Sequence, residues 1–234
     1  MTPVGPERRL PRAAIALLAG CAGPGTWRID GLEDVAELGS AVWIVEQGET
    51  STEHRLLLSS APDACDALQE GARALAGLEG EPDDDCAAFQ AAMADAGEAL
   101  DGVVGAGAVA LEIRLEGAPS AGTWSTADPD DEDVGPTFEG SLRRFDENPY
   151  AWAATEYDCF DPDPLSEYTL ELMEEDRLEP ATLTLDDVRA HTMEGSLTGI
   201  VNADDDGDLT EVGSVVASAR WSRCEVEAAL NPVF

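Results

Sequence analysis

A short acidic run near the C-terminal end of the chain has the spacing of calcium ligands. Oxygen-bearing side chains occupy its first, third, fifth and seventh positions, which are Asn202, Asp204, Asp206 and Asp208. With Gly207 at the sixth position, the run matches the first half of a calcium-binding loop. The glutamate that closes such a loop would fall at position 213, which is a glycine. A glycine-bearing hairpin turn with solvated carboxylates is the other interpretation, and the flanking strand patterns favour it.

The N-terminal residues carry the pattern of an export signal. A basic segment, Arg8–Arg12, precedes the apolar run Ala13–Gly20, and Cys21 follows. This layout is that of a secretory signal peptide. The tetrapeptide Leu18–Cys21 has the form of a lipobox, in which the chain is cut before the cysteine and the cysteine then carries the lipid. We therefore expect residues 1–20 to be a lipoprotein signal peptide and Cys21 to be the lipidation site.

The predicted anchor also indicates where the protein resides. Its apolar run is too short to cross a bilayer, which takes about 20 residues. We therefore expect the membrane to be a partner of the chain through the lipid on Cys21. Residues 21–26 form the lipidated cysteine and a short tether, and the four residues Ala22–Gly25 reach at most about 14 Å. Residue 22 is alanine, not the aspartate that favours inner-membrane retention in some bacteria. We expect an exported protein, lipid-anchored to the cell envelope, with the outer membrane favoured over the inner.

Four further cysteines remain after Cys21, and they are Cys65, Cys86, Cys159 and Cys224. An even number in an exported domain predicts two disulfides. We favour Cys65–Cys86 with Cys159–Cys224, because each bridge then lies within one half of the chain. The alternative is a Cys65–Cys224 bridge that ties the two halves together. A zinc site is not expected, because no pair has C-x-x-C spacing and the two histidines stand alone.

The charge of the chain is strongly one-sided. It has 49 acidic and 13 basic residues and a formal net charge of -36, and every basic residue is an arginine. Such a field repels nucleic acids, so a nucleic-acid partner is excluded, while cations or a basic protein partner are allowed. The acidic residues also keep the protein soluble, for instance in a salty medium, where the salt screens the repulsion among them.

The hydrophobic pattern predicts a mainly β fold. Val109, Leu111, Ile113 and Leu115 alternate with Glu112 and Arg114, as in a half-buried strand. Similar strands are expected at 27–30, 41–46, 54–59, 138–145, 152–157, 181–185, 194–201 and 212–221. Residues 60–98 instead carry apolar residues at helical spacing behind caps at Ser60 and Asp83–Asp85. We expect one acidic domain over 27–234, an antiparallel sandwich or barrel-like sheet with an inserted pair of helices at about 60–98, and thus α+β overall.

Signatures of enzymes are missing from the sequence. It contains no G-x-S-x-G, no H-E-x-x-H and no phosphate-binding glycine loop. His54 and His191 are expected on strands near the surface, apart from any triad partner. Tryptophans could line a carbohydrate-binding face, although in a β domain they are typical of the core; they are Trp27, Trp43, Trp124, Trp152 and Trp221.

The order of these features resembles a family of proteins. After the lipobox come Pro62–Cys65, Gly122–Trp124, Tyr157–Cys159, and a last hairpin with Gly195–Gly199 and Ala217–Ala219. The chain is similar in this order, over most of residues 40–225, to uncharacterised, lipobox-anchored, β-rich lipoproteins of bacteria, and departs from them in its acidic helical segment around Cys86. The resemblance implies no catalytic residues and no cofactor. We expect a non-catalytic envelope lipoprotein with a structural or interaction role; the alternatives are a calcium- or carbohydrate-binding surface module and an envelope hydrolase.

Overall fold

A computed structural model describes residues 24–31, 37–47, 52–76, 78, 85–126, 135–159, 172–205 and 208–226, with only the backbone given for 46, 47, 204, 205 and 208. It contains nine strands and three helices in these ranges. The strands are β1 (Gly25–Asp30), β2 (Ser40–Gln47), β3 (Thr52–Ser59), β4 (Val109–Leu115), β5 (Gly122–Thr126), β6 (Thr137–Phe145), β7 (Met173–Val188), β8 (Thr192–Asp205) and β9 (Asp208–Glu225). The helices are α1 (Ala64–Leu75), α2 (Cys86–Val104) and α3 (Pro149–Glu156).

The nine strands form one sheet that closes on itself. Its order is β1-β9-β2-β3-β4-β6-β5-β7-β8, and further pairings join β8 to β9 and β6 to β7. Most neighbours are antiparallel, but β2 runs parallel to β9 and β5 runs parallel to β6. The predicted fold class is therefore confirmed as β-rich and barrel-like with inserted helices, although the sheet is mixed. Closure removes most of the unpaired strand edges that an open sheet exposes.

Alternate side chains of the strands fill the inside of the closed sheet. On β4 these are Val109, Leu111, Ile113 and Leu115, as the alternation predicts. Three tryptophans belong to this core, namely Trp43, Trp124 and Trp221. Trp27 packs against its edge and Trp152 packs in the helical layer. The core interpretation of the tryptophans is thus confirmed for three of the five, and those three line no outer face.

The helices form a second layer on the outside of β2, β3, β4 and β6. Apolar stripes of α1 and α2, which include Leu68, Leu100 and Val104, pack against Val42, Leu57 and Ala110 of the sheet. Asp85 caps α2, because its side chain accepts a hydrogen bond from the Ala88 amide at 3.1 Å. The predicted helical insertion is present, and α2 continues six residues beyond the expected end at residue 98.

One disulfide joins α1 to strand β9 and the other joins α2 to the segment after α3, but neither is in the pairing that we favoured. Cys65 bonds Cys224 and Cys86 bonds Cys159, each with Cα atoms 5.7 Å apart. The favoured Cys65–Cys86 and Cys159–Cys224 bridges are therefore wrong, and the alternative is observed. Each of the first two cysteines lies at the start of its own helix, and α1 alone is about 18 Å long. Each cysteine consequently bonds to the segment beside its own helix start.

One predicted strand is a helix. Residues 152–157 were expected to be extended, but α3 covers most of them. Asn148 caps this helix by accepting hydrogen bonds from the amides of Tyr150 and Ala151, and Pro149 occupies its first turn. The Asn148 amide also donates to the Gly97 carbonyl at 2.9 Å, which fixes α3 on α2.

Candidate functional site

One part of the outer sheet face is not covered by helices, and charged side chains collect there. The helices cover the outer face of the sheet near Phe145. Beyond the helices, most outward residues of β3, β4, β6 and β7 are arginine or glutamate. We call this region the charged face; its members are Glu53, Arg55, Glu112, Arg114, Glu139, Ser141, Arg143, Glu175, Arg177 and Glu179.

The strand register brings these residues side by side. Glu112 lies opposite Ser141, which lies opposite Arg177. On the next rung Arg114 lies between Arg55 on one side and Glu139 on the other. Two like charges directly opposite each other on a sheet are destabilising, so the Arg55–Arg114 neighbours need carboxylates around them.

Glu112 supplies most of that compensation. Its Oε2 accepts a hydrogen bond from Arg143 Nη1 at 2.7 Å, while its Oε1 lies 3.5 Å from Arg55 Nη1 and 3.7 Å from Arg114 Nη2. The side chain is only 7% exposed, and Oε1 accepts no hydrogen bond from the described residues. A buried carboxylate is tolerated here because three guanidinium groups surround it.

Two further glutamates complete the ion-pair network. Arg114 Nε lies 2.8 Å from Glu53 Oε1, and Arg143 Nη2 lies 3.1 Å from Glu175 Oε1. Behind the network, burial raises the pKa of the Tyr150 phenol of α3, and the positive charge of Arg55 opposes that shift. Tyr150 is therefore a residue of the helical layer that lies near Arg55 of the charged face.

A cavity of about 340 Å³ opens on the charged face between β4, β6 and β7. The β6–β7 ladder stops at the pair Ser141–Arg177, and β5 then inserts between the two strands. The cavity lies at this gap, where Phe138, Gly140 and Leu178 form its floor. Three arginines line it, Arg114, Arg143 and Arg177. Four glutamates also line it, Glu112, Glu139, Glu175 and Glu179.

The chemistry available at the cavity is recognition by charge and hydrogen bonds. Its hydroxyl groups belong to Thr126 and Ser141, and neither histidine of the chain lies among its lining residues. Paired guanidinium and carboxylate groups present donors and acceptors at fixed positions. No cluster of three or more potential metal ligands occurs in the described ranges.

The two histidines lie elsewhere in the fold. His54 of β3 is half-buried, and its Nδ1 accepts a hydrogen bond from Trp43 Nε1 at 3.2 Å. Burial, together with the nearby charge of Arg223, holds the pKa of His54 below its ordinary value. His191 is exposed in the turn between β7 and β8, where its carbonyl accepts a hydrogen bond from the Arg223 amide. The structure thus brings neither histidine to the charged face.

The acidic run at the C-terminal end belongs to the β8–β9 hairpin. Asp205 of β8 pairs with Asp208 of β9, and residues 206 and 207 between them lie outside the described residues. Asn202 is buried on β8 and its amide donates to the Glu179 carbonyl. Asp206 lies outside the described residues, as do the side chains of Asp204 and Asp208. Calcium binding by this run therefore stays a prediction.

The predicted signal peptide and Cys21 also lie outside the described residues, which begin at Pro24. The Pro24 carbonyl already accepts a hydrogen bond from the Arg220 amide at 3.0 Å, so the folded domain is engaged three residues after Cys21. None of the helices in the described part is both long enough and apolar enough to cross a membrane.

Sequence reasoning did not find the charged face. It placed Glu112 and Arg114 correctly on the outward side of β4, but took that side to be solvated. The available signal was the repetition of outward charge on neighbouring strands, at Arg55, Arg143, Glu175 and Arg177. This repetition can be recognised only when the strand order is known, because β3, β4, β6 and β7 are separated in the sequence.

Comparison with models of known protein families, with curated proteins and with solved structures finds no match for this chain.

Proposed function

We propose that this protein is an exported lipoprotein, held to the cell envelope through a lipid on Cys21, whose folded domain acts by binding and not by catalysis. The observation that carries the proposal is the use of the cysteines. Four of the five form two disulfides that join distant parts of the domain, which is typical of proteins that fold in an oxidising compartment. The fifth, Cys21, is the one that ends the lipobox.

The distance between the anchor and the domain supports a role close to the membrane. Two residues separate Cys21 from Pro24, whose carbonyl accepts a hydrogen bond from β9, and the three steps from Cys21 to Pro24 span about 10 Å at most. The domain is then held against the bilayer surface, facing components of the envelope. The alanine at position 22 favours the outer membrane.

A binding role is supported by the composition of the charged face. Its cavity gathers arginines and glutamates that are paired with one another, whereas the histidines lie apart from it. Specific recognition needs a few fixed polar groups in a concave site, and this arrangement supplies them. The partner of the domain is an envelope component recognised at that face.

Metabolic labelling with a fatty-acid analogue tests the anchor. We expect the wild-type chain to incorporate the label and to fractionate with outer membranes, and Cys21→Ser to lose both properties. The matched control is the double variant Cys65→Ser with Cys224→Ser, which keeps Cys21 and should still be labelled. Labelling of Cys21→Ser equal to that of the wild type, or an unlabelled wild-type chain, would overturn the proposal.

A further inference from the structure

The arginines of this chain are scarce and unevenly placed. Three of the 13 precede residue 24, and four of the remaining ten, Arg55, Arg114, Arg143 and Arg177, lie on the charged face. An acidic surface that served only solubility would not need them together. Three of these four line one cavity together with four glutamates, so charged groups of both signs are concentrated there.

The charges at the cavity select against simple ions. The whole molecule carries -36, so an incoming anion is repelled at long range. An incoming cation meets the guanidinium groups of Arg114 and Arg177 in the cavity wall. The lining itself is nearly balanced, with three arginines and four glutamates. A molecule with both charges and no net charge avoids both penalties.

The geometry of the cavity mouth suits such a molecule. Arg114 and Glu139 lie opposite each other on β4 and β6, with Nη1 and Oε2 4.0 Å apart, and their side chains are 44% and 70% exposed. Arg114 Nε is already paired with Glu53, but the contact between Arg114 Nη1 and Glu139 is loose, so these two groups can each form a shorter charge-assisted hydrogen bond of about 2.7–2.9 Å. Arg177 and Glu179 stand on β7, across the same cavity.

The floor of the cavity limits the size of the ligand. Phe138 and Leu178 close it towards the core and are each only 1% exposed. The space between this floor and the charged walls measures about 340 Å³, so the cavity admits only a small molecule. No exposed aromatic ring lines the cavity among the described residues, so the stacking platform used for sugars is missing there.

We propose that the cavity on the charged face binds a small zwitterion with the chemistry of a short-chain α-amino acid. Its carboxylate is held by Arg114 and Arg177, and its ammonium group by Glu139 and Glu179. This inference rests on the proposed binding role of the domain but not on the lipid anchor, because labelling at Cys21 and occupancy of the cavity are measured separately.

A series of matched probes on the purified full chain tests the ligand class. L-Alanine should bind in calorimetry and raise the melting temperature by about 3 °C or more near saturation. N-acetyl-L-alanine lacks the ammonium group and L-alaninamide lacks the carboxylate, so both should bind at least tenfold more weakly at equal ionic strength. Equal binding of either analogue, binding of glucose in place of alanine, or no binding of alanine would overturn the proposal.

Variants at the mouth test the location of the site. Arg177→Gln and Glu139→Gln should each weaken alanine binding at least tenfold, and both side chains are exposed enough for the fold to persist. Arg28→Gln on β1 is the control, because Arg28 pairs at 2.8 Å with Asp30 of the same strand and lies away from the cavity. Alanine binding by this variant should equal that of the wild type. Unchanged affinity in the two mouth variants would place alanine elsewhere and refute the assignment.

Discussion

At the level of single residues, the charged face depends on Glu112. Its carboxylate is the buried partner of Arg55 and Arg143, whose side chains are only 8% and 12% exposed, while Glu53 and Glu175 contact the same two arginines from more exposed positions. Buried ion pairs contribute little net stability when complete, but removing one partner leaves a buried charge uncompensated. The residue is therefore a structural requirement of the face.

We expect Glu112→Gln to lower the free energy of unfolding by about 1.5–3 kcal/mol, because Arg143 loses a charge-assisted hydrogen bond and Arg55 loses its nearest carboxylate, while Glu175 and Glu53 still compensate part of their charge. Glu139→Gln is the matched control on the same face; its exposed pair with Arg114 should contribute less than about 1 kcal/mol. Urea denaturation of both variants measures the difference. Similar stability of the two would show that Glu112 is not the compensating charge.

His54 makes the stability depend on pH from the inner side of β3, where its ring lies against Trp43. Burial, and then the charge of Arg223, lowers its pKa in the folded state below the ordinary value of 6.5. As pH falls through 6.5 the unfolded chain takes up a proton that the folded chain resists, so the stabilising contribution of neutral His54 is present above pH 6.5 and is lost below it. Protonation at Nδ1 would also remove the acceptor for Trp43.

Comparing the wild type with His54→Gln separates the contribution of His54 titration to stability from that of the many carboxylates. We expect the stability difference, wild type minus variant, to decrease as pH is lowered from 7.5 to 5 in urea titrations, because glutamine keeps an acceptor for Trp43 but does not titrate. A difference that is constant over this range, or that grows towards acid, would contradict the lowered pKa.

At the level of elements, one disulfide holds α1 on strand β9 and the other ties α2 to the segment that follows α3. The Cys65–Cys224 bridge closes a sequence separation of 159 residues and the Cys86–Cys159 bridge one of 73. Loop-closure entropy assigns them about 5 and about 4 kcal/mol respectively. The layer is thus fastened at the start of each of its two long helices.

Replacing either pair by serine should lower the urea midpoint strongly, and the Cys65/Cys224 pair should have the larger effect by a small margin. Peptide mapping of the unreduced wild-type chain gives the connectivity directly and should recover the peptide pairs 65–224 and 86–159. A peptide that links Cys65 to Cys86 would refute the observed pairing, and a serine pair as stable as wild type would refute its role.

The same elements show what could be predicted from the sequence. Strands with clean alternation, such as β4, were found because one face is buried and the period is two. The helical insertion was found from its spacing and from the cap at Asp85, whereas the predicted cap at Ser60 is wrong, because α1 begins at Ala64 behind Asp63. The disulfide pairing was not, because it depends on how α1 and α2 lie on the sheet, and four cysteines alone allow three connectivities.

Local rules also conflicted in one place. Residues 152–157 contain tryptophan, threonine and tyrosine, which favour strands, but Asn148 and Pro149 form a capped first turn that starts α3. Packing against α2 then decides the outcome. The charged face was beyond sequence reasoning for a different reason, since its members come from four strands that only the fold makes neighbours.

At the level of the whole molecule, the net charge of -36 sets the response to salt. Repulsion among the acids destabilises the compact state, and the Debye length shortens from about 30 Å at 0.01 M to about 8 Å at 0.15 M salt. We expect the melting temperature to rise by about 3–8 °C between 0.01 M and 0.3 M potassium chloride. A flat or falling melting temperature would show that the acids are locally balanced.

Neutralising acids on an exposed helix face separates this screening from general salt effects. Asp95 and Glu98 are exposed on α2, so Asp95→Asn with Glu98→Gln should raise the melting temperature at 0.01 M salt and leave it nearly unchanged at 0.3 M, where repulsion is already screened. Glu112→Gln should instead remain destabilised at both concentrations, because its partners are buried and salt screens them poorly. If the α2 double variant gained equally at both concentrations, the gain would come from helix propensity and not from relieved repulsion.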